Sequence, residues 1–433
     1  MFKKFKGRYL KKDVQKFERD VMSYEDMPLD DYEQEKTEIS PEAVKKIIIS
    51  ICITLVAGLV VFAFANREKL TWDNLSNWWT YDVLGNAGNG FPVDIVGAEV
   101  SSGNFTINQG HIAYVSDTSF ITLNLSGNEI ANIQLRYSSP VLKASGNKFL
   151  TYGLGATGFQ IDSFDSKLFT GDTDENIFTG DIASNGVYTL VTEGNGYLAT
   201  QFVYNNDNNR IFKYSYSDYY ITSVALSPDG KSGVSCGVTT DKGAAVSGIY
   251  VLDFSKEKPL SVYKIENDVI VDCKYLSGNR VVLIGQAAAY VFKEGDKSCK
   301  VISYGDKTLA NYAFNTDTSS FSVVLSRSGD GRSCTIESYN NYGDKICSFD
   351  TENKADSISM YKNVISILDG NTAYVYNNSG QLLYSDYTGT GSKQILMLSD
   401  SEAYILSVNQ IRQINFKNPS SADTVSRNTE IQQ

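Results

Sequence analysis

Two short segments in the C-terminal third of the chain have nearly the same pattern. Residues 337–349 read ESYNNYGDKICSF, and residues 374–386 read YVYNNSGQLLYSD. In each segment two alternating runs flank a turn rich in Asn and Gly, which is typical of an antiparallel β-hairpin. A hairpin that recurs after 37 residues predicts a repeat fold, in which each unit buries its apolar faces against its neighbours.

The same turn can be followed back through most of the chain. Turns rich in Gly, Asn, Asp or Ser lie near residues 127, 165, 208, 256, 295, 343 and 380. A second turn precedes several of these, as in KASGNKFLTY from Lys143, ALSPDGKSGV from Ala225, KYLSGNRVVLI from Lys274 and AFNTDTSSFSVV from Ala313. Each unit therefore contains four strands and two such turns, which is the composition of a β-propeller blade.

The number of blades follows from the third strand of each unit. These strands are predicted at eight places: 121–125, 158–162, 201–205, 249–254, 288–292, 334–339, 372–376 and 410–416. The last unit has only three strands, and the spare strand PVDIVGAEV at 92–100 can supply the fourth, which removes an exposed edge. The predicted fold is all-β, a propeller of four-stranded antiparallel blades, with eight blades favoured and seven as the alternative.

One turn carries a family resemblance. SPDGK at 227–231 resembles the turn of bacterial WD40-like and TolB-like propellers, although no WD dipeptide occurs within residues 91–417. The whole sequence also resembles uncharacterised bacterial proteins in which one membrane anchor precedes a propeller. The resemblance implies the propeller architecture over residues 91–417 and names no ligand.

An apolar run precedes the repeats. Nineteen uncharged, mostly apolar residues extend from Ile47 to Ala65, and about 20 such residues cross a bilayer as a helix. We therefore expect one transmembrane helix at 47–65, in contact with lipid. A signal peptide cleaved after Ala65 is the alternative, because Ala63-Phe64-Ala65 resembles a small-x-small cleavage site. Eight Lys and Arg between residues 3 and 19 favour a cytoplasmic N-terminus and an extracytoplasmic propeller.

These features divide the sequence into five parts. The parts are a charged cytoplasmic arm at 1–46, the helix at 47–65, a neck and Gly/Asn linker at 66–90, the propeller at 91–417 and a polar tail at 418–433. The arm begins with a basic amphipathic stretch, which either lies on the inner leaflet or only sets the topology. Three tryptophans in the neck are predicted either at the membrane interface or docked on the folded domain; they are Trp72, Trp78 and Trp79.

The net charge of the protein, −11, comes entirely from the part after residue 46. Residues 1–46 contain eleven basic and eleven acidic side chains, whereas the remainder contains 28 basic and 39 acidic ones. An acidic domain is a poor binder of nucleic acid, which requires positive potential. Basic proteins, neutral sugars and cations stay possible as partners.

No catalytic centre can be assigned from the sequence. The single histidine, His111, excludes His-rich metal sites, and any Ser-His-Asp centre would depend on that residue alone. No motif selects a pair among the acidic residues, and no cofactor motif is present. Six cysteines show no C-x-x-C spacing, and a turn at 342–343 would place Cys347 opposite Ser338 rather than Cys334, so no disulfide is predicted there.

Two segments are candidate ligand sites. GDTDENI places Asp172, Asp174 and Asn176 at alternate positions, as in the first half of a calcium loop, but lacks the glycine and the distal glutamate of such a loop. A solvated acidic loop is the alternative. The stretch KYSYSDYY could form an aromatic binding platform, or these rings could belong to an ordinary strand; the tyrosines concerned are Tyr214, Tyr216, Tyr219 and Tyr220.

The combined pattern predicts a membrane-anchored, extracytoplasmic propeller without catalytic activity. It would act as a protein-binding scaffold or recognition module in the cell envelope, with another envelope protein as partner. One alternative is a carbohydrate or cell-wall binder, which requires exposed aromatic side chains at one end of the ring. The other is a glycoside-cleaving enzyme, which requires two carboxylates in the central channel.

Overall fold

The computed structural model describes residues 46, 49–50, 53–58, 90–296, 298–327, 329 and 333–417. Residues 46, 49–50 and 53–58 are helical. Within the described part of the chain, no helix is long and apolar enough to cross a membrane. The remainder of the predicted transmembrane segment 47–65, the arm at 1–45, the three tryptophans and the tail at 418–433 lie outside the described residues. The protein divides into two compact units, Met1–Ala65 and Asn66–Gln433.

The described residues of the second unit form 32 strands, arranged in eight antiparallel sheets of four strands each. Blades 1 to 4 follow one another along the sequence. Blade 1 contains β2 (Phe105–Asn108), β3 (His111–Val115), β4 (Ser119–Asn124) and β5 (Glu129–Gln134). Blade 2 contains β6 (Pro140–Ser145), β7 (Lys148–Gly153), β8 (Gly158–Asp162) and β9 (Lys167–Asp172). Blade 3 contains β10 (Ile177–Ile182), β11 (Tyr188–Thr192), β12 (Ala199–Tyr204) and β13 (Arg210–Tyr216), and blade 4 contains β14 (Tyr220–Leu226), β15 (Ser232–Asp241), β16 (Ala244–Asp253) and β17 (Ser261–Glu266).

Blades 5 to 8 complete the ring. Blade 5 contains β18 (Ile270–Leu276), β19 (Arg280–Gly285), β20 (Ala288–Lys293) and β21 (Lys300–Ser303). Blade 6 contains β22 (Thr308–Asn315), β23 (Ser320–Ser326), β24 (Cys334–Asn340) and β25 (Lys345–Thr351). Blade 7 contains β26 (Ser357–Tyr361), β27 (Val364–Asp369), β28 (Thr372–Asn377) and β29 (Leu382–Tyr387), and blade 8 contains β30 (Ser392–Met397), β31 (Glu402–Ser407), β32 (Gln410–Asn415) and β1 (Val93–Asp94).

The predicted blade number and the predicted closure are both confirmed. All eight predicted third strands overlap β4, β8, β12, β16, β20, β24, β28 and β32. Strand β1, which lies within the predicted segment 92–100, pairs antiparallel with β32 and becomes the outermost strand of blade 8. The ring is therefore closed by hydrogen bonds between the two ends of the folded domain.

The repeated turn has one structural cause in four of the blades. After the third strand, an Asn side-chain oxygen accepts hydrogen bonds from the backbone N–H groups two and four residues later. In blade 7, Asn377 Oδ1 accepts from Ser379 N and Gln381 N, both at 3.0 Å, and Gly380 between them has φ +77°. Asn is favoured because its short side chain replaces a backbone acceptor, and Gly because it adopts positive φ; the equivalent residues are Asn124, Asn205 and Asn340.

Eight hydrophobic clusters fill the eight interfaces between neighbouring blades. Strand β3 illustrates why a single blade cannot fold alone, because all five of its residues are buried. Ala113 and Val115 face blade 2, whereas Ile112 and Tyr114 face blade 8. Alternate side chains point to opposite faces of a strand, so each blade needs a neighbour on both sides.

The topology gives the ring two different ends. Because strands alternate in direction, the turns after the first and third strands of each blade lie at one end, which we call the turn face. The connections after the second strand and between blades lie at the other end, which we call the loop face. The first strand of each blade lines the central channel.

Candidate binding face at the channel mouth

A cavity of 520 Å³ opens at the loop face, beside blades 1 and 2. Its wall is formed by the end of the β1–β2 connection, the β5–β6 connection and the first residues of β6. Hydroxyl groups, two carboxylates, one ammonium group and apolar side chains all contribute to this wall. The volume is in the range of sites for small ligands, roughly 300–1,000 Å³.

The wall of this cavity is fixed by side chains that bridge blades. Asn104 is buried between blades 1 and 2. Its Nδ2 donates to Pro140 O at 2.7 Å, and its Oδ1 accepts from Leu142 N at 2.9 Å. A buried amide with both ends bonded holds a fixed orientation, so the first residues of β6 keep a constant position beside the cavity.

The β1–β2 connection is also attached to its surroundings. Asp117 Oδ1 accepts a hydrogen bond from Ala98 N at 2.8 Å. Gly97 beside it has φ +102°, and a Cβ there would lie 2.4 Å from Ser116 Oγ, so only glycine fits. Glu99 forms an ion pair of 2.9 Å with Lys393 on blade 8. The rim of the cavity is therefore a closed structure that joins blades 8 and 1.

The channel wall contains a recurring polar position. In five blades the first strand has a β-bulge against the second strand at an equivalent place. A bulge re-aims the following side chain, and in all five blades that residue is polar. Several of these side chains bond to the next blade, as Ser223 Oγ does by donating to Asp272 Oδ1 at 3.0 Å; the five residues are Thr179, Ser223, Asp272, Asn311 and Gln394.

Lys143 on β6 lines the cavity and is half-buried. Burial favours its neutral amine, but the oxygen atoms of Tyr152, Asp272 and Asp181 outweigh this effect and raise the pKa of Lys143. The lysine is therefore cationic at neutral pH. Within the described part of the chain, no acceptor lies within hydrogen-bond or ion-pair distance of its ammonium group.

Asp181 and Asp272 lie on first strands, which line the channel, so two channel carboxylates are present as the glycoside-cleaving alternative requires. Both are occupied by protein donors. Asp181 Oδ2 accepts from Leu226 N at 2.9 Å, and Asp272 accepts from Ser223 Oγ and, at 3.1 Å, from Tyr312 Oη. These bonds hold the two carboxylates in structural roles between blades.

A strongly perturbed carboxyl group lies away from the channel. Asp162 is on the third strand of blade 2 and is completely buried. Burial raises its pKa to about 7, against the opposing effect of Gln160. Gln160 Nε2 donates to both carboxyl oxygens, at 2.7 and 2.8 Å. A perturbed pKa can mark a functional site, but this group has no opening to solvent and contributes to the blade interface.

Three large apolar side chains are exposed on the loop face of consecutive blades. Leu154 of blade 2, Tyr197 of blade 3 and Tyr220 of blade 4 have exposed fractions of 50%, 51% and 57%. We call these three residues the apolar arc. Leu154 also lines the cavity, so the arc begins at the cavity and continues over the two following blades.

The four tyrosines proposed as an aromatic platform separate into different environments. Tyr216 is buried in the hydrophobic core between blades 3 and 4, and its hydroxyl donates to Gln201 Oε1. Tyr214 and Tyr219 are half-buried and pack against the same core. Tyr220 alone of the four presents most of its ring to solvent, because it begins a first strand at the loop face.

The calcium candidate lies in the connection between blades 2 and 3. Asp172 ends β9, and Asp174 and Asn176 follow before β10. Asn176 Nδ2 donates to Glu193 Oε1 at 3.3 Å, so its amide nitrogen is directed at a carboxylate. Among the described residues, no group of three or more His, Cys, Asp or Glu side chains is arranged to hold a metal ion. Calcium binding here stays a prediction.

The strand register around Cys334 and Cys347 agrees with the sequence prediction. Cys347 lies opposite Ser338, and Cys334 lies opposite Thr351. Among the described residues, no disulfide joins Cys334 to Cys347. The residues that sequence reasoning missed are Lys143, Asp181, Asp272, Leu154 and Tyr197. A lysine within an otherwise apolar first strand was the available signal for Lys143, whereas the others carry no local signature.

Solved structures that are similar to this protein include β-propellers. The protein is similar to the C-terminal WD40 domain of Sif2, with a TM-score of 0.52 and 11% identity over 74% of this sequence and 96% of that one. It is also similar to BamB from Moraxella catarrhalis, with a TM-score of 0.46 and 11% identity over 75% and 100% of the two sequences. Identities this low show the fold alone. No curated protein matches the sequence.

A protein-family model also matches this sequence. The model described as a family of unknown function, DUF5711, matches residues 95–416. This range covers all strands from β2 to β32 and ends at the residue after β32. The protein therefore belongs to the DUF5711 family, whose matched region here is an eight-bladed β-propeller.

Proposed function

We propose that the propeller is a non-catalytic recognition module that binds another protein through its loop face. The observation that carries this proposal is the apolar arc, which adjoins an open cavity on a rigid, closed ring. Exposed apolar groups on neighbouring elements are typical of interaction sites, and tyrosine is enriched in such sites because it combines a large apolar surface with a hydroxyl group. The occupied channel carboxylates favour binding over catalysis.

The proposed location is the cell envelope. The apolar segment 47–65 would hold the protein in the membrane, and the basic arm would lie in the cytoplasm. The propeller would then face outwards and meet another envelope protein. The support is the length of the apolar run, the helical residues 49–50 and 53–58 within it, and the excess of Lys and Arg before it.

In-cell cross-linking of a C-terminally tagged protein tests both parts. The triple variant Leu154→Ser/Tyr197→Ala/Tyr220→Ala removes the apolar arc. Tyr342→Ala is the matched control, because Tyr342 lies on the turn face and is 55% exposed. We expect one envelope protein to cross-link to the wild type and to Tyr342→Ala but not to the triple variant. Equal capture by the triple variant would place the contact elsewhere.

Carbohydrate binding is a second candidate, and the exposed rings of Tyr197 and Tyr220 favour it. Aromatic side chains supply flat apolar surface for ligands at concave sites. Purified wall glycan should then bind the wild type and Tyr342→Ala, and bind Tyr197→Ala/Tyr220→Ala more weakly. If the glycan binds no variant while the protein partner is recovered, this candidate is excluded.

A further inference from the structure

Among the residues that line the cavity, Lys143 is the only one with a cationic side chain. Lysine carries three N–H donors, and a half-buried cation is normally paired. Here the two carboxylates that keep Lys143 charged, Asp181 and Asp272, act from beyond ion-pair distance and use their oxygens for other donors. Lys143 is thus a cation whose donors meet no acceptor within the described part of the chain.

The cavity provides space and further donors next to this cation. Four serines line it, two in the β1–β2 connection and two in the β5–β6 connection, and each can donate a hydroxyl hydrogen; they are Ser101, Ser102, Ser138 and Ser139. Asparagine is not available as an extra donor, because Asn104 uses its amide between the blades. The free donors in the wall are therefore one ammonium group and hydroxyl groups.

The carboxylates of the cavity wall are engaged in contacts of their own. Glu99 pairs with Lys393 at 2.9 Å, which compensates its charge. Asp117 accepts from Ala98 N at 2.8 Å, which directs one of its oxygens at the β1–β2 connection. Lys143 is therefore the one cationic side chain of the wall, and it shares its charge with Asp181 and Asp272 rather than with a carboxylate of the wall.

We propose that this cavity binds a carboxylate group carried by a protein segment, with Lys143 as its ion-pair partner and the serine hydroxyls as additional donors. The inference rests on the proposed function, since the partner would insert this group beneath the contact made by the apolar arc. The carboxylate can come from the C-terminus of the partner or from an Asp or Glu side chain. The acidic character of the domain disfavours a segment with many negative charges, so a single carboxylate on an otherwise uncharged or basic segment fits.

Three short peptides distinguish the two sources. The first is acetyl-Gly-Ser-Leu with a free carboxyl group, the second is its C-terminal amide, and the third is acetyl-Gly-Glu-Leu amide, whose only carboxylate is in the side chain. Each is added to the full-length protein in detergent at equal ionic strength, and thermal unfolding is recorded. A ligand that binds only the folded state raises the Tm in a concentration-dependent manner.

We expect the wild type to be stabilised by one or both carboxylate peptides and not by the neutral amide. Lys143→Met should weaken the response at least tenfold, Lys143→Arg should retain part of it, and Lys231→Met on the turn face should leave it unchanged. The Tm without peptide and the far-UV circular dichroism establish that each variant is folded. A defect in Lys143→Met folding would leave Lys143→Arg against the wild type as the informative comparison, because arginine keeps the charge and changes its geometry.

The proposal is overturned if no carboxylate peptide changes the Tm, if the amide acts equally well, or if Lys143→Met responds as the wild type does. Its failure differs from a failure of the proposed function. If only the carboxylate proposal fails, the cross-linked partner would still be captured by Lys143→Met and would be lost only with the triple variant that removes the apolar arc. If the proposed function itself fails, no partner whose cross-linking depends on the apolar arc would be recovered.

Discussion

Val93 lies opposite Ile411 in a two-residue antiparallel pairing that joins the beginning of the folded domain to its end. The pairing is extended by a hydrogen bond from Ile95 N to Asn409 O at 2.9 Å. Ile95 also packs against the core between blades 8 and 1. Blade 8 therefore depends on residues more than 300 positions apart in the sequence, and its stability should be sensitive to changes in the short strand β1.

Replacement of Ile95 by proline should destabilise the closure. Proline removes the donor to Asn409 O, and the loss of one such bond together with backbone strain should cost about 1–3 kcal/mol of unfolding free energy beyond the packing loss. Ile95→Ala is the matched variant, because it removes the same side chain but keeps the N–H group. Urea unfolding of both variants measures the difference; equal midpoints would show that the bond does not contribute to closure.

The fold was accessible from the sequence because its signals are local. Asn340 and Asn377 each bond to two N–H groups within four residues, and the same chemistry follows the third strand in two further blades. The closure of blade 8 could also be predicted from the sequence. The last unit has only three strands, which leaves an unpaired edge, and the segment 92–100 has the pattern of a strand that can pair with it. The strand itself is shorter than the predicted segment 92–100, because it ends at Asp94 and the following residues form a loop on the loop face.

The candidate site was not accessible in the same way. Lys143, Asp181 and Asp272 lie on the first strands of blades 2, 3 and 5, and only closure of the ring brings them into range of one another. Asp272 also follows a β-bulge, which breaks the alternation on which strand reading depends. The exposure of the four tyrosines was also not readable from the sequence, because alternation predicts a strand but not which of its faces the next blade will cover, as it covers Tyr216.

Asn104 should be among the most sensitive polar residues of the domain. Asn104→Asp keeps the acceptor for Leu142 N but places an oxygen 2.7 Å from Pro140 O, and burial of that unpaired charge should cost about 2–3 kcal/mol. Asn195→Asp, at an exposed position of the loop face, is the control for the same chemical change and should alter stability by less than about 0.5 kcal/mol. Denaturant unfolding of the two variants decides, and similar effects would contradict the assigned role.

The thiols should differ sharply in reactivity. Cys236, Cys273, Cys334 and Cys347 are buried, and Cys299 is exposed. Neighbouring protein atoms displace water from the Cys299 thiol and raise its pKa. Because the thiolate is the reactive form, the reaction of Cys299 with a disulfide reagent should still accelerate at pH values above the ordinary pKa of a cysteine. In a Cys52→Ser background we expect one fast thiol per molecule, which Cys299→Ser removes. A second fast thiol in the folded protein would mean that a blade interface opens.

Asp162 should make the stability of the propeller depend on pH. Its pKa is raised to about 7 by burial, against an ordinary value of 3.8. Between these values the folded state holds a proton that the unfolded state has released, so the unfolding free energy falls as pH rises from about 4 to about 7 and changes little above that. At 1.36 kcal/mol for each pKa unit, the total is on the order of 4 kcal/mol.

Asp162→Asn removes this titration and keeps the shape of the side chain. The difference in unfolding free energy between the wild type and Asp162→Asn should therefore favour the wild type most at about pH 4 and decline until about pH 7, whereas the other carboxyl groups cancel in the comparison. Asp165→Asn, at an exposed position of the same hairpin, is the control for the same chemical change. Urea midpoints measured across this range test the prediction, and a difference that is constant with pH would mean that Asp162 is ionised within the blade interface, with a cation near enough to offset its burial.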